Sequence, residues 1–380
     1  MATALRRVIG GNELICRKRA LVHMLRTNAT IHPMGKLHNN YRNIIVVGAS
    51  AGGVEALIKM IANIPHTARM SIFVVQHIPA YSNSNLDKVL SNYTDRRVKK
   101  AVDGETIESD TIYVACADRH LLVEDNRVVV SKGPRENRFR PAVDALFRSA
   151  AHAFRDRVVG VVLSGALNDG TSGMWTIKRY GGTAIVQDPA EAMFSDMPEG
   201  VMQYTEVDHV LKAAEIGKLL GKIAAEPLTD EKSAAGVTAD KLIQIEIDIA
   251  KGKNGLNMGI LETGRRSALA CPECHGALTQ FEEGALLRYR CHTGHAHTAE
   301  SLLASIRDNV EKSMWEVMRG MEESHILLDA MAGKMEESGD VTTAERFRTE
   351  AKLIQERATE VQQTIEKSDL SHGKAPSIPI

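Results

Sequence analysis

The stretch Ile44-Ile45-Val46-Val47-Gly48-Ala49-Ser50-Ala51-Gly52-Gly53 decides the fold. Its run of β-branched residues is apolar at consecutive positions, as in a strand covered on both faces. The run ends in Gly-x-Ser-x-Gly and passes into a helix-forming segment over residues 54–61. Ser50 then stands on a sharp strand-to-helix turn, with its hydroxyl above the edge of a sheet.

Working outward, residues 71–75, 111–114, 158–163 and 183–186 have the same short, β-branched, nearly continuous apolar character. Helical patterns lie between or after them, at 54–64, 83–92, 142–154, 172–180 and 210–223. Residues 121–123 and 127–130, separated by Glu124-Asp125-Asn126, read as a hairpin. Together these predict an α/β fold with a doubly wound, mostly parallel sheet in three α/β/α layers, Rossmann-like, carrying an antiparallel insertion.

A serine hydroxyl is a poor nucleophile at neutral pH, so it needs a base in reach and a carboxylate to orient that base. Val74-Val75-Gln76-His77 puts His77 at the carboxyl end of the second strand, and Asp169 follows the later strand 158–163. Open α/β sheets hold their sites at strand carboxyl ends. Ser50, His77 and Asp169 are therefore expected on one side of one sheet. Taken singly, each has a plainer reading. The glycine-rich turn can cap a helix, a histidine after a strand can sit satisfied in a loop, and Asn-Asp-Gly is a turn sequence. The order serine, histidine, aspartate also differs from the serine, acid, histidine order of α/β-hydrolases.

These residues resemble the catalytic domain of chemotaxis protein-glutamate methylesterases, the CheB type, over about residues 43–223. The resemblance rests on Gly48-Ala49-Ser50-Ala51-Gly52-Gly53, Val75-Gln76-His77, Arg140-Pro141-Ala142-Val143-Asp144, Leu163-Ser164-Gly165 leading to Asp169-Gly170, Gln187-Asp188-Pro189 and Met197-Pro198. It implies that Ser50 is the nucleophile, His77 the general base and acid, and Asp169 the orienting carboxylate. Backbone N–H groups near Ala51 and Ala166 would form the oxyanion hole. The implied substrate is a glutamate γ-methyl ester on a methylated chemoreceptor-like protein, with deamidation of receptor glutamine in some members. A receptor methyltransferase is a further implied partner. Where the family pattern reads Gly-Met-Gly-x-Asp-Gly, this chain has Gly165-Ala166-Leu167-Asn168-Asp169-Gly170. About 40 residues precede Asn43, too few for the receiver domain of the usual enzyme.

A second constellation, Cys271-Pro-Glu-Cys274 with Cys291-His-Thr-Gly-His295, has the spacing of a zinc ribbon. Cys271, Cys274, Cys291 and His295 close a tetrahedral shell, which predicts a structural zinc ion; His275, His292 and His297 are rival fourth ligands. The ribbon looks like the C-terminal extension of some stand-alone CheB-type proteins. Beyond it, residues 299–328 and 344–365 have apolar residues at helical spacing and predict an amphipathic helical hairpin, which could dimerise. Expected boundaries are a disordered extension over 1–40, the catalytic domain 41–225, a linker with a short helix 226–268, the ribbon 269–298, the hairpin 299–368 and a disordered tail 369–380.

The 380 residues carry a formal net charge of −1 with both signs scattered, a composition that argues against nucleic acid as the partner. No apolar run nears the roughly 20 residues of a membrane span, so membrane insertion is not expected. Five cysteines, three in one cluster, suit a reducing cytoplasm better than a disulfide framework. Arg6, Arg7, Arg17, Lys18 and Arg19 precede no apolar core of a leader peptide. The expected function is a serine esterase acting on protein glutamate methyl esters. Two other readings stay open: a docking module that keeps the fold without activity, and a hydrolase of another ester or amide.

Overall fold

The computed structural model describes residues 40–228 and 237–367. Apart from Asn40, the expected terminal extensions lie outside them, as do residues 229–236 of the expected linker.

Strand β1 (Ile44–Ala49) is buried at all six positions, and α1 (Gly53–Ala62), β2 (Ser71–Gln76), α2 (Leu86–Leu90), β3 (Arg97–Lys100) and β4 (Thr111–Val114) follow. The hairpin β5 (His120–Glu124) and β6 (Arg127–Ser131) leads to α3 (Val143–Phe154), β7 (Val158–Val162), α4 (Thr171–Arg179) and β8 (Thr183–Gln187). Helix α5 (Asp196–Tyr204), strand β9 (His209–Leu211) and helix α6 (Ala213–Ile223) complete the α/β unit. Seven strands form one parallel sheet in the order β3-β4-β2-β1-β7-β8-β9.

Two apolar cores cover its faces. Val46, Phe73 and Val162 meet Val143, Phe147 and Met174 on one face. Val47, Ile72 and Val161 meet Leu57, Met60, Ile216 and Leu220 on the other. Each fully buried side chain of this size contributes roughly 1.5–3 kcal/mol, which explains why the two-sided apolar strands stand out in the sequence. The chain builds leftward from β1 and then returns to β7 on its other flank. The β1/β7 boundary is therefore the topological switch point, where such sheets open a crevice.

Three differences from the sequence reading concern edges and breakers. β3 and β9 were not expected as strands; both are sheet edges, and β3 carries Arg97, Lys99 and Lys100. The expected helix over 210–223 is divided between β9 and α6, and α5 forms although Pro198 and Gly200 lie within it.

After α7 (Val237–Ala250), strands β10 (Arg265–Ala270), β11 (Ala277–Glu283), β12 (Leu286–Cys291) and β13 (Ala296–Thr298) make an antiparallel sheet. Helices α8 (Ala299–Glu337) and α9 (Val341–Lys367) then pair as a hairpin, turning at Gly339 with φ 84°. Ala344, Ala351, Ala358 and Ile365 are buried every seventh residue of α9, the spacing of a coiled-coil seam. No helix among the described residues is long and apolar enough to cross a membrane.

The C-terminal elements are fastened to the α/β unit by buried charge. Ile243, Ile247 and Ala250 of α7 join the core beside α3. Next to them Glu136 and Arg148 meet Glu246, Glu283, Arg288 and Arg290. Arg290 lies 3.0 Å from both Glu136 and Glu246, and Arg148 3.0 Å from Glu246. Burial pushes the Glu246 carboxyl up, yet Arg148, Arg288 and Arg290 hold it down to about 2.

Candidate active site and metal centre

The parallel register sets Ala49 opposite Gln76, so Ser50 and His77 leave neighbouring strands at the same level. Gln76 ties the two turns, its side-chain amide donating to the Ser50 carbonyl at 2.7 Å and the His77 carbonyl at 3.2 Å. On the other flank the Ser50 N–H donates to the Ser164 carbonyl at 2.9 Å, and the Ser164 hydroxyl to the Ala51 carbonyl at 2.7 Å. Gly165 must be glycine, because a Cβ there would lie 2.0 Å from Met197 Sδ and 2.8 Å from Ser50 Cβ.

His77 Nε2 is 2.8 Å from Asp169 Oδ2, with the two side chains 3% and 0% exposed. An ionised carboxylate only accepts, so Nε2 carries the proton and Nδ1 holds the lone pair. Nδ1 is buried and has no hydrogen-bond partner. Phe139 stacks its ring on a face of the imidazole.

Asp169 lies between β7 and α4. Its Oδ2 also accepts from the Val143 N–H at 2.7 Å, and Oδ1 from the Asn137 side-chain amide at 2.9 Å and the Asp144 N–H at 3.2 Å. Burial pushes the carboxyl up, but these donors and above all His77 bring it below the usual carboxylate range. Asp144, a second buried carboxylate, accepts from Gly170 and Gly173 N–H groups and from Asn137. Burial first, and the charge of Asp169 second, push Asp144 well above its usual range. Of the two acids, Asp169 is thus the one kept ionised beside the histidine.

The N–H groups of Ala51 and Ala166 make no hydrogen bond within the described residues. Leu167, where the family pattern has glycine, adopts φ 63°. That left-handed conformation suits glycine and strains leucine.

The model of the CheB methylesterase family matches residues 45–220. A relative from Leptospira interrogans, described provisionally as a protein-glutamate methylesterase/protein-glutamine glutaminase, is 39% identical over 46% of this chain and 91% of its own length. The chain belongs to the CheB methylesterase family. A family member from Thermotoga maritima, named protein-glutamate methylesterase/protein-glutamine glutaminase, is 35% identical over 47% of this chain and 53% of its own. One from Methanosarcina mazei with that name is 34% identical over 48% and 52%. This chain therefore spans about half the length of those two relatives. The crystal structure of the Thermotoga maritima CheB methylesterase catalytic domain has 33% sequence identity and a TM-score of 0.46, covering 47% of this chain and 97% of that one.

The matched region ends before the Cys/His cluster. There Cys274 Sγ is 3.6 Å from Cys291 Sγ, Cys291 Sγ 3.6 Å from His295 Nδ1, and Cys271 Sγ 3.8 Å from His295 Nδ1. All four ligand atoms lie within 4.8 Å of one another. A tetrahedron with zinc–sulfur bonds near 2.3 Å has edges of about 3.8 Å, so the donor set fits the ion and could hold it. Of the rival ligands, His297 places Nε2 4.0 Å from Cys271 Sγ.

Several residues around the candidate site escaped sequence reasoning. Asn137 and Phe139 contact Asp169 and His77, and Asp144 and Asn168 were visible only as parts of motifs. A lone asparagine in a polar loop carries no periodic signal that could have marked it.

Proposed function

We propose that the chain is a serine hydrolase that demethylates glutamate γ-methyl esters on methylated chemoreceptor-type proteins. The observation that carries this reading is the buried hydrogen bond between His77 Nε2 and Asp169 Oδ2, one strand from Ser50. It leaves Nδ1 as the only basic nitrogen of the ring. In the proposed cycle Ser50 Oγ attacks the ester carbonyl while Nδ1 takes its proton. Asp169 stabilises the imidazolium, and the Ala51 and Ala166 N–H groups face the oxyanion; one such donor typically contributes about 2.7–4 kcal/mol. The proton then passes from Nδ1 to the departing methoxide, giving methanol and a Ser50 acyl-enzyme. Water, deprotonated by His77, attacks the acyl carbonyl; the Ser50 Oγ–acyl bond breaks, Oγ takes the proton back from Nδ1, and the glutamate carboxylate is released. With glutamine as substrate the same steps release ammonia, in keeping with the double name of the relatives.

The Cys271, Cys274, Cys291 and His295 centre is assigned a structural zinc ion, which would cross-link β10, β12 and the turn before β13. Methanol release from pre-methylated receptor fragments, compared between wild type and Ser50→Ala, tests the reading. Release lost in the variant supports it. Labelling of Ser50 by a fluorophosphonate without any methanol release would instead point to a different ester.

A further inference from the structure

The first turn of α8 is built into the carboxylate side of the candidate site. Thr298 caps that helix, its hydroxyl oxygen accepting from the Ser301 N–H at 3.2 Å. The same hydroxyl donates to Asn168 Oδ1 at 2.7 Å, while Asn168 Nδ2 donates to Glu300 at 2.7 Å. Glu300 also accepts from the Tyr204 hydroxyl, and burial followed by this carboxylate pushes that phenol up to about 12. Asn168 precedes Asp169 directly, so α8 grips the backbone neighbour of the orienting acid.

The second grip is Asn137. Its Oδ1 accepts from the Thr298 N–H at 2.9 Å and the Ser301 hydroxyl at 3.1 Å. Its Nδ2 donates to Asp144 at 2.7 Å and Asp169 at 2.9 Å. A side-chain amide has two donors and two acceptor positions, and here they divide evenly between α8 and the two buried acids. Asn137 is thus a rigid link, and its own main chain is held by the Ala296 carbonyl at 2.8 Å. On either side of it, Glu136 joins Arg290, Arg138 pairs with Asp308 of α8, and Phe139 stacks on His77.

We infer that Asn137 is a positioning residue for the His77–Asp169 pair, and that it acts only when fastened by Thr298, the cap of α8, and Ser301 in its first turn. The C-terminal module is then a working part of the hydrolase. The physical reason lies in the two acids. Without the shared donor, Asp144 and Asp169 lose the one side chain that bonds both, and Asp169 Oδ1 keeps only the Asp144 N–H. This inference rests on the serine-hydrolase reading but is independent of which ester is cleaved.

The test is the rate of Ser50 phosphonylation by a fluorophosphonate in the full-length protein, which separates the maximal rate from probe affinity. Asn137→Gly removes the side chain without strain, since Asn137 has φ 49°. It is expected to lower the maximal rate about tenfold with affinity changed less than about twofold, in the range of supporting-residue losses. Ser301→Ala, which leaves the helix cap in place, is expected to give a smaller loss that disappears in the Asn137→Gly background. Unchanged labelling in Asn137→Gly, or losses that simply multiply in the double variant, would overturn the inference. Because the probe labels any activated serine, failure of methanol release alone leaves it standing.

Discussion

The Phe139 ring lies flat on the His77 imidazole, with 3.6 Å between centroids and 12° between planes. One hydrogen bond to Asp169 fixes a single edge of the imidazole and leaves it free to tilt. The stacked ring removes that freedom. Such a pair contributes about 0.5–1.5 kcal/mol, so Phe139→Ala is expected to lower kcat by up to about tenfold with KM unchanged. Steady-state methanol release reads the split; a rise in KM alone would place Phe139 in substrate binding instead.

Leu167 holds a conformation that costs an L-residue roughly 1–2 kcal/mol, partly offset in comparison with glycine by chain entropy. Leu167→Gly should therefore raise stability by about 0.5–1 kcal/mol in denaturant unfolding. A clear loss of stability would show that the leucine side chain contributes more by packing than its backbone costs.

The buried ionic network makes the protein acid-sensitive in a defined direction. Glu246 falls from its ordinary 4.5 to about 2 in the fold. A depressed carboxyl lends stability that is full above the unfolded value and is lost as pH falls towards the folded one. Thermal midpoints should thus decline as pH drops from 4.5 towards 2. Glu246→Gln leaves buried arginines uncompensated, at a cost of about 3–5 kcal/mol, and should flatten the acid branch. An acid branch as steep as wild type would assign the effect to other groups.

Elemental analysis of the purified protein is expected to find one zinc per chain, lost in Cys274→Ser. Chelation should lower the melting temperature, because the ion would join turns that have few apolar contacts of their own: the small core there comprises Cys271, Leu278, Cys291 and Leu302. Full-length protein that melts unchanged without metal would remove the structural role.

What the sequence made legible follows from burial. β1, β2, β4, β7 and β8 are interior strands, apolar on both faces; Ser50 and His77 leave β1 and β2 at one level, and Asp169, in the loop after β7, meets His77. Cys-x-x-Cys and Cys-x-x-x-His are local spacings, so the Cys/His cluster was equally visible. β3 was hidden because an edge strand is kept soluble by charges such as Arg97 and Lys100. The links among Asn137, Asn168, Thr298 and Ser301 were hidden for another reason. Their hydrogen bonds join residues 130 to 164 positions apart, and no periodicity encodes a contact at that range.

That separation also has a consequence in time. The chain is made from its amino end, and Asn137 is in place 161 residues before Thr298. Once residue 223 has been made, the α/β unit can fold while the link to α8 still has nothing to hold. On the inference drawn above, a nascent chain should carry a sluggish Ser50, and full reactivity should arrive only when α8 has emerged from the ribosome. Stalled chains of increasing length, labelled with a fluorophosphonate, would show that step or a smooth early onset that contradicts it.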